Sequence, residues 1–474
     1  MNGHTQMPLE GVSFAASIDQ PDAPSKSKPQ YFEMIGHRGL WHAGWKAVTF
    51  GGTGAVLPDF GPKLIHIHTS GATMVFRHDF NAIRADFPHA EKRLWLAAAE
   101  SHPYSVHTLA ALDRYAQFRT HGASGDRHGF TPEMQQEAKQ RFATLIHADQ
   151  DEIAFVQSTT DGENIVLAGL GLNVPSANRQ DHHHLKPQGN IVIDDLHFEA
   201  SKYMYKALEK LQHIELRIIS HRDWQIDPAD VKAAIDERTY LVSVALVSQV
   251  NGYMADIHSI SQLAHEHGAY VYADLIQAAG CTSIDVRAMG IDFAACNSYK
   301  WLMGDFGAGF LYVRAALQEV VRPTRYSLKQ VYAVDDFDYT PVPGAAQYEG
   351  SGNLSPLSGV CLYEGIKYMS NIGVDAIRAH VKPLTDRLQN ELPPLGYTPI
   401  TPLDSPSPIV SFLPNDVEET KRKLERAFGH QVVSFRNWYR TGAQGQREMV
   451  KGMRLAISVY NNDRDMDQFL TTLA

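Results

Sequence analysis

A lysine lies where one apolar stretch of the chain ends and, after a glycine-rich turn, another begins. Lys300 follows the apolar residues 293–296 and precedes the apolar residues 310–313. Burying a lysine there is costly unless the side chain is exposed, paired or used in chemistry. In its neutral form the amine is a nucleophile that condenses with carbonyl groups. Lys300 is therefore the first candidate catalytic residue.

An acidic residue ends a second apolar stretch upstream. Asp274 follows residues 269–273, and Gln277 comes one helical turn later. A carboxylate buried at a strand end can pair with the protonated nitrogen of an aromatic ring, or it can cap the helix that follows. Because ligands of open parallel sheets lie beyond the carboxyl ends of the strands, we expect Asp274 and Lys300 to face one crevice.

A stretch rich in hydroxyl groups follows the apolar residues 153–156. It reads STTDGEN over residues 158–164, with Thr159 and Thr160 as the candidate anion ligands. Free backbone N–H groups and hydroxyls at a helix N-terminus form an anion site. The alternative is an ordinary helix start, with Thr160 and Glu163 forming a capping box.

Arg454 opens a predicted C-terminal strand, from which its guanidinium could reach the crevice or lie on the surface. A guanidinium is the usual partner of an α-carboxylate. A reactive lysine, an acid for a ring nitrogen, an anion site and a carboxylate-binding arginine are what pyridoxal phosphate chemistry requires of a protein. The sequence therefore predicts a pyridoxal 5′-phosphate enzyme that acts on the amino group of an amino acid or amine.

From about residue 151, short apolar stretches alternate with helical ones. This alternation predicts an α/β domain with a mostly parallel sheet flanked by helices. The predicted strands are 190–193, 216–219, 241–247, 269–273, 293–296 and 310–313, and the predicted helices include 201–211, 228–235 and 257–267.

We expect three parts in the chain. Residues 1–75, rich in glycine, proline and histidine, are predicted to be an irregular extension; residues 76–335 the large cofactor-binding domain with an N-terminal arm; and residues 336–474 a smaller C-terminal α/β domain. The smaller domain should follow an irregular connection at 323–343 and contain helices 356–371 and 374–392 and strands 409–412 and 453–459.

The composition is ordinary for a water-soluble globular protein. The 474 residues are 44% hydrophobic and 20% charged. The net charge of −10 does not indicate a nucleic acid-binding protein, which would carry an excess of positive charge. The longest apolar stretch, residues 240–247, is too short to cross a membrane, and no signal peptide is recognisable. Three cysteines without a close pair indicate a reducing, cytoplasmic location. The adjacent histidines 182–184 cannot all face one ion, so we expect a solvated loop and no metal site.

Taken together, these stretches resemble the class V aminotransferase family of fold-type I pyridoxal-phosphate enzymes. That family includes cysteine desulfurases, kynureninases and isopenicillin N epimerase-like proteins, and the resemblance runs from about residue 79 to the C-terminus. It implies a fold-type I architecture, a Schiff base on Lys300, a pairing of Asp274 with the pyridine nitrogen, and substrate binding by Arg454.

The resemblance also implies roles around the lysine. Thr159 and Thr160 match the phosphate-binding threonines of the family's Gly-Thr-Thr-Glu segment. Tyr299 gives the kynureninase-like Tyr-Lys form and is an expected phosphate donor. The ring that stacks on the pyridine is Phe198 if the sequences are matched without a gap, or His197 after a shift of one residue.

Other positions match the family's usual residues less closely. Gln249 stands where the family has an asparagine near the cofactor's phenolic oxygen, and Asn297 departs from the serine of many relatives. Gln277 could reach the phenolic oxygen or the phosphate. Ser351, in the segment 348–353, matches the hydroxyl through which a neighbouring subunit completes the phosphate site, which implies a homodimer with shared active sites.

A loop before the last strand separates the subclasses of the family. Cysteine desulfurases carry a catalytic cysteine there, whereas residues 434–442 contain none. We therefore expect class V aminotransferase activity, with a carbon–sulfur lyase or epimerase as the alternative. A non-catalytic scaffold and a cysteine desulfurase are less favoured. The three cysteines are expected to be small buried residues: Cys281, Cys296 and Cys361.

Four further polar residues could lie near the substrate. Arg436 and Arg440, in the segment without a cysteine, could bind a second anionic group or be solvated. Glu100 and His102 lie where relatives bring an N-terminal segment toward the substrate, although a solvated turn is the alternative.

Residues 30–48 resemble a segment of type I sulfatases, the arylsulfatases. The sulfatase nucleophile motif Cys-x-Pro-x-Arg occurs nowhere in the chain, so we expect no sulfate ester hydrolysis. We interpret the stretch as a fused remnant, with an appended segment that gates the active site as the alternative.

Overall fold

The computed structural model describes residues 78–122, 129–173, 189–212, 214–349, 354–441 and 446–474, together with the backbone of short strands between residues 30 and 78. The chain divides into two units, Met1–Asp79 and Phe80–Ala474. The histidines 182–184 and Ser351 lie outside the described residues. No helix in the described part is long and apolar enough to cross a membrane.

The first unit contains backbone hairpins where we expected an irregular extension. Strands β1 (Gln30–Met34), β2 (His37–His42) and β3 (Trp45–Phe50) form an antiparallel sheet, and β4 (Leu64–His68) pairs with β5 (Val75–His78). The side chains of the arylsulfatase-like stretch lie outside the described residues, so its proposed origin stays a prediction.

The second unit is built on a central sheet with helices around it. Its sheet strands are β6 (Ile153–Val156), β7 (Asn190–Asp194), β8 (Glu215–Ile219), β9 (Thr239–Ala245), β10 (Tyr270–Asp274), β11 (Phe293–Asn297) and β12 (Gly309–Val313). Its helices are α1 (Phe80–Ala85), α2 (Pro88–Lys92), α3 (Val106–His121), α4 (Pro132–Ile146), α5 (Thr159–Gly169), α6 (Glu199–Gln212), α7 (Pro228–Ala234), α8 (Ile257–Glu266), α9 (Pro356–Ile372), α10 (Val374–Glu391), α11 (Val417–Phe428) and α12 (Asp463–Leu473).

The seven strands lie in the order β6-β12-β11-β10-β9-β7-β8, and only β12 runs against the others. Successive side chains of a strand point to opposite faces. Ile191 and Ile193 of β7 accordingly pack in one hydrophobic cluster and Val192 in another on the opposite face. Burial on both faces explains why these strands are almost uniformly apolar. The predicted α/β fold with a mostly parallel sheet is confirmed.

The connection and the smaller sheet differ in part from the prediction. The stretch 323–343, expected to be irregular, contains the paired strands β13 (Val331–Ala333) and β14 (Tyr339–Pro341). A four-stranded antiparallel sheet follows, in the order β15-β16-β18-β17, formed by β15 (Tyr397–Pro399), β16 (Ile409–Pro414), β17 (Ser434–Thr441) and β18 (Arg447–Ala456). The helices predicted in this region are present. The domain boundary near residue 335 stays a prediction.

The segment predicted to be a loop before the last strand is strand β17. It pairs with β18 along its whole length, from Ser434 opposite Arg454 to Thr441 opposite Arg447. The predicted strand 453–459 therefore begins earlier and ends sooner than expected. The sequence pattern was misleading because most of this hairpin is exposed and polar, so it lacks the apolar alternation that indicates a strand.

Helix α5 approaches the central sheet through a glycine. A Cβ added at Gly162 would lie 2.7 Å from the Cβ of Ala295 on β11, closer than two such carbons can pack. Gly162 therefore fixes the distance between the helix and the strand that leads to Lys300.

We predict that Gly162→Ala lowers the free energy of unfolding by about 1–3 kcal/mol, because the added methyl group must push α5 away from β11. Urea denaturation of the cofactor-free protein measures this change. Asn164→Ala, at an exposed position of the same helix, is the control and should change the stability by about 0.5 kcal/mol or less. Equal stability of Gly162→Ala and the unmutated protein would contradict the tight contact.

Candidate active site

The carboxyl ends of five strands of the central sheet surround one hollow. It contains about 470 Å3 of atom-free space, part of it open to solvent. The structure brings together nine of the predicted site residues in its lining, whose members are Ser158, Thr159, Thr160, Phe198, Ala245, Val247, Gln249, Asp274, Ile276, Gln277, Asn297, Tyr299 and Lys300. This position, beyond the strand ends, is the one expected for a ligand of an α/β sheet.

Lys300 and Asp274 are buried in this hollow, with 6% and 3% of their surfaces exposed. Burial and the nearby Arg454 guanidinium, opposed by the Asp274 carboxylate, together lower the pKa of Lys300 to about 7. Burial likewise raises the pKa of Asp274, against the favourable N–H of Ile276 and the charge of Lys300. A large fraction of the lysine is therefore neutral near pH 7, the form that attacks a carbonyl.

Asp274 caps a turn and faces the hollow, and its pairing with a pyridine nitrogen stays a prediction. Its carboxylate accepts the backbone N–H of Ile276 at 2.9 Å, so it caps the turn that follows β10. It also faces the hollow beside Lys300. The two strands make this possible: Asp274 pairs with Ala295 in the parallel register of β10 and β11, and Lys300 follows β11 by three residues.

The N-terminus of α5 points at the hollow. Ser158 is the N-cap, and its hydroxyl accepts the backbone N–H of Asp161 at 2.9 Å. The alternative capping box of Thr160 with Glu163 is wrong, because the Glu163 side chain turns into the core. Thr159 and Thr160 therefore occupy the first helical positions, where backbone N–H groups lack helical partners and favour an anion.

Asn297 ties this helix start to the lysine segment. Its backbone N–H donates to the Thr159 hydroxyl at 3.1 Å, and its side-chain amide donates to the carbonyl of Gln157 at 2.9 Å. The asparagine that departs from the family's pattern thus connects the end of β11 with the turn before α5.

The structure distinguishes the positions of Phe198 and His197. Phe198 lines the hollow, whereas His197 is fully buried behind it. The backbone N–H of Phe198 donates to His197 Nδ1 at 2.7 Å, and His197 Nε2 lies 3.1 Å from the Ser243 hydroxyl. Since Nδ1 accepts, Nε2 carries the proton and donates to Ser243. Burial lowers the pKa of His197 to about 3, so the ring is neutral.

Glu163 is a buried residue that sequence reasoning missed. Its carboxylate, 1% exposed, accepts the hydroxyls of Ser201 at 2.7 Å, Tyr205 at 2.7 Å and Ser243 at 3.0 Å. Burial outweighs the stabilising hydroxyls and raises the pKa of Glu163 to about 7. Through Ser243 and His197, the carboxylate of α5 is thus connected to the backbone of Phe198. The only signal in the sequence is a charged residue within an otherwise apolar helix face.

Gln277, Gln249 and Tyr299 make contacts that shape the hollow. The Gln277 side-chain amide accepts the indole N–H of Trp301 at 3.0 Å and donates to the carbonyl of Ala99 at 3.3 Å. It therefore connects the residue that follows Lys300 with the segment that follows α2. Gln249 donates its amide to Glu199. The Tyr299 ring stacks on Phe306 with the centroids 4.0 Å apart.

Arg454 lies beside the hollow rather than on the surface. Its side chain is 2% exposed, and Nη1 donates to the carbonyl of Gln249 at 2.9 Å. No acceptor among the described residues lies within hydrogen-bonding distance of its Nε. A buried guanidinium with unused donors is the arrangement that a carboxylate ligand completes.

The remaining polar candidates have different surroundings. His102 is buried and bonds to the Ser458 hydroxyl at 2.9 Å, so the alternative of a solvated turn is wrong for it. Arg436 donates to Glu100 at 2.5 Å. Arg440 bonds to Glu448 at 3.3 Å and lines a separate, more open hollow between β8, α7 and the β17–β18 hairpin.

The three cysteines are buried, as predicted, and none lines the hollow. Burial raises the pKa of all three thiols, that of Cys361 to about 11. A thiol that is buried and protonated is a poor nucleophile.

Comparison with known proteins identifies the class to which this site belongs. The Aminotransferase class-V family matches residues 97–469, and the chain belongs to this family of pyridoxal phosphate-dependent enzymes. The cysteine desulfurase of Dickeya dadantii is 29% identical over 320 residues, which are 65% of this chain and 74% of that protein. The cysteine desulfurase of Haloferax volcanii is 26% identical over 66% of this chain and 76% of its own length.

Solved structures agree with the fold. The apo cysteine desulfurase from Thermococcus onnurineus superposes with a TM-score of 0.68 at 22% identity, over 82% of this chain and 96% of that one. The cystine C–S lyase C-DES, in complex with cysteine persulfide, gives a TM-score of 0.68 at 17% identity, over 82% and 98% of the two chains. The fold-type I prediction is confirmed.

Pyridoxal phosphate fits the residues of the hollow. The site offers a buried amine for the aldehyde, a carboxylate for the pyridine nitrogen, a phenyl ring, and hydroxyls at a helix N-terminus for the phosphate: Lys300, Asp274, Phe198, Thr159 and Thr160. The unused Nε of Arg454 adds a place for a carboxylate.

We predict that the cofactor-free protein takes up pyridoxal phosphate about tenfold faster near pH 8 than near pH 6, because only neutral Lys300 attacks the aldehyde and its pKa is about 7. Stopped-flow absorbance of the visible band measures the rate. Pyridoxine 5′-phosphate, which lacks the aldehyde, is the control for pH effects on the phosphate site. A rate that falls as the pH rises would contradict this assignment.

We predict that Glu163→Leu lowers the free energy of unfolding by more than about 3 kcal/mol, because three buried hydroxyls lose their acceptor. Glu163→Gln keeps an acceptor oxygen and should cost about half as much or less. Urea denaturation of both variants measures the difference. Equal stability of Glu163→Leu and the unmutated protein would show that the hydroxyls find other partners.

Proposed function

We propose that this protein is a pyridoxal phosphate-dependent carbon–sulfur lyase, which cleaves the bond between the β-carbon and sulfur of an amino acid without using a cysteine of its own. The names of its relatives support sulfur chemistry: two are cysteine desulfurases, and one structural neighbour is a cystine C–S lyase. Transamination, our first expectation from the sequence, is less well supported, since these relatives are not named aminotransferases.

The placement of the cysteines carries the proposal. A desulfurase that passes sulfur to its own thiol needs a cysteine that reaches the substrate. In this chain Cys281, Cys296 and Cys361 are 2%, 1% and 0% exposed and lie in the core. The segment where desulfurases carry their cysteine is the β17–β18 hairpin here, and residues 434–456 contain no cysteine. The released sulfur species must therefore leave the site as a free product.

The chain's own residues supply the remaining steps. Arg454 binds the α-carboxylate of the substrate, which orients the α-hydrogen toward Lys300. The neutral amine of Lys300 accepts the α-proton, while Asp274 provides the negative charge that a protonated pyridine ring requires. Bound pyridoxal phosphate supplies an electron sink. The C–S bond breaks with its electron pair on sulfur, which takes up the proton held by Lys300 and leaves as a thiol from an S-alkylcysteine or as a persulfide from cystine. Water then hydrolyses the remaining three-carbon fragment to pyruvate and ammonium.

We predict that the holoenzyme converts cystine or an S-alkylcysteine into pyruvate, ammonium and a sulfur product in equal amounts. Pyruvate is measured by coupling to lactate dehydrogenase, and the sulfur product by a thiol reagent. Lys300→Ala should lower kcat by more than about 1000-fold, because the α-proton loses its acceptor.

Two results would contradict this activity. Alanine formation with a protein-bound persulfide would indicate a desulfurase, and amino-group transfer to an α-keto acid without sulfur release would indicate an aminotransferase. Single Cys→Ser variants at 281, 296 and 361 are the matched controls, and each folded variant should retain its kcat. Loss of kcat in one of them would identify a sulfur-accepting thiol.

A further inference from the structure

Two arginines of the β17–β18 hairpin share one carboxylate. Arg436 lies opposite Gly452 in the antiparallel register, and Arg454 lies two residues further along β18. Diagonal neighbours of this kind project from the same face of a sheet. Glu100, from the segment after α2, places its carboxylate 2.5 Å from Arg436 Nη2 and 3.9 Å from Arg454 Nη2.

The two contacts of Glu100 are not equivalent. The contact with Arg436 is a short charge-assisted hydrogen bond, whereas 3.9 Å from Arg454 is too long for one. Arg454 is 2% exposed and keeps its Nε without an acceptor among the described residues. The side chain of Arg436 is 49% exposed. The better solvated arginine therefore holds the carboxylate, and the buried arginine keeps free donors.

We propose that Arg436 is a positioning residue, which holds Glu100 away from Arg454 and so keeps the carboxylate site open for an amino-acid substrate. This rests on the proposed function only in taking Arg454 as the carboxylate-binding group. A buried guanidinium attracts any carboxylate within reach, and a small movement of the Glu100 side chain would bring its carboxylate into hydrogen-bonding distance of Arg454. Without Arg436, Glu100 pairs with Arg454 and competes with the substrate from within the protein.

The arrangement assigns Arg436 a role other than binding a second anionic group. Its guanidinium is already paired with Glu100, so the charge available to the substrate is that of Arg454. The substrate class that this fits is an amino acid with one carboxylate, held at Arg454, and a side chain that needs no further cation.

Calorimetric titration of the holoenzyme with propionate tests the proposal, since propionate carries a carboxylate and no amino group and does not turn over. Arg436→Gln should raise the Kd by about tenfold, and Arg436→Gln with Glu100→Gln should return it to within about threefold of the unmutated protein. Glu100→Gln alone should change the Kd by less than about threefold. Arg440→Gln, also on β17 and paired with Glu448, is the matched control and should leave the Kd unchanged.

Three outcomes would overturn the proposal. If the double variant binds as weakly as Arg436→Gln, Arg436 itself binds the ligand. If Glu100→Gln strengthens binding by the factor by which Arg436→Gln weakens it, the two charges act independently. If Arg436→Gln binds normally, Glu100 does not compete. Because the titration involves no turnover, its result does not depend on whether the protein is a lyase. The two proposals share one premise, that Arg454 binds the carboxylate, and unchanged propionate binding by Arg454→Gln would contradict that premise.

Discussion

The structure depends on keeping an amine and a carboxylate together where water is scarce. Burial disfavours the charged forms of both Lys300 and Asp274, and each charge partly compensates the other. Neighbouring parallel strands make this pairing possible, because β10 and β11 end side by side and deliver the two groups to one hollow. Burying the two groups costs folding free energy, but it gives a lysine that is partly neutral near pH 7, the form that reacts with a carbonyl.

Helix α5 couples three parts of the site. Its N-terminus presents Thr159 and Thr160 to the hollow, its Gly162 allows close approach to β11, and its Glu163 holds the hydroxyls beneath Phe198. Buried polar networks of this kind specify one arrangement of side chains only when all members have partners. The predicted anion site and the aromatic ring are therefore held relative to each other by the same helix.

Local patterns predicted the parallel sheet and the lining residues Lys300, Asp274, Gln277, Thr159 and Thr160, whereas the other predicted lining residues came from the family resemblance. Strands buried on both faces appear as apolar stretches, and the chemical residues follow directly where those stretches end. Strand β17 was missed because its residues are largely exposed and polar and do not show the alternation of apolar and polar residues that indicates a strand. The Glu163 network could not be predicted, since Ser201 and Ser243 come from elements that approach α5 only in the folded chain.

In the proposed reaction, removal of the α-proton and the fate of the sulfur depend on different residues. Lys300 and Asp274 can serve any reaction that begins with loss of that proton, so they do not choose among elimination, transamination and epimerisation. The choice lies in what stands around the substrate. The hairpin beside the site contains no cysteine that could accept sulfur in the proposed reaction, and it also supplies Arg454 and Arg436. In the reaction we propose, the same two strands bind the substrate's carboxylate and leave its sulfur to be released.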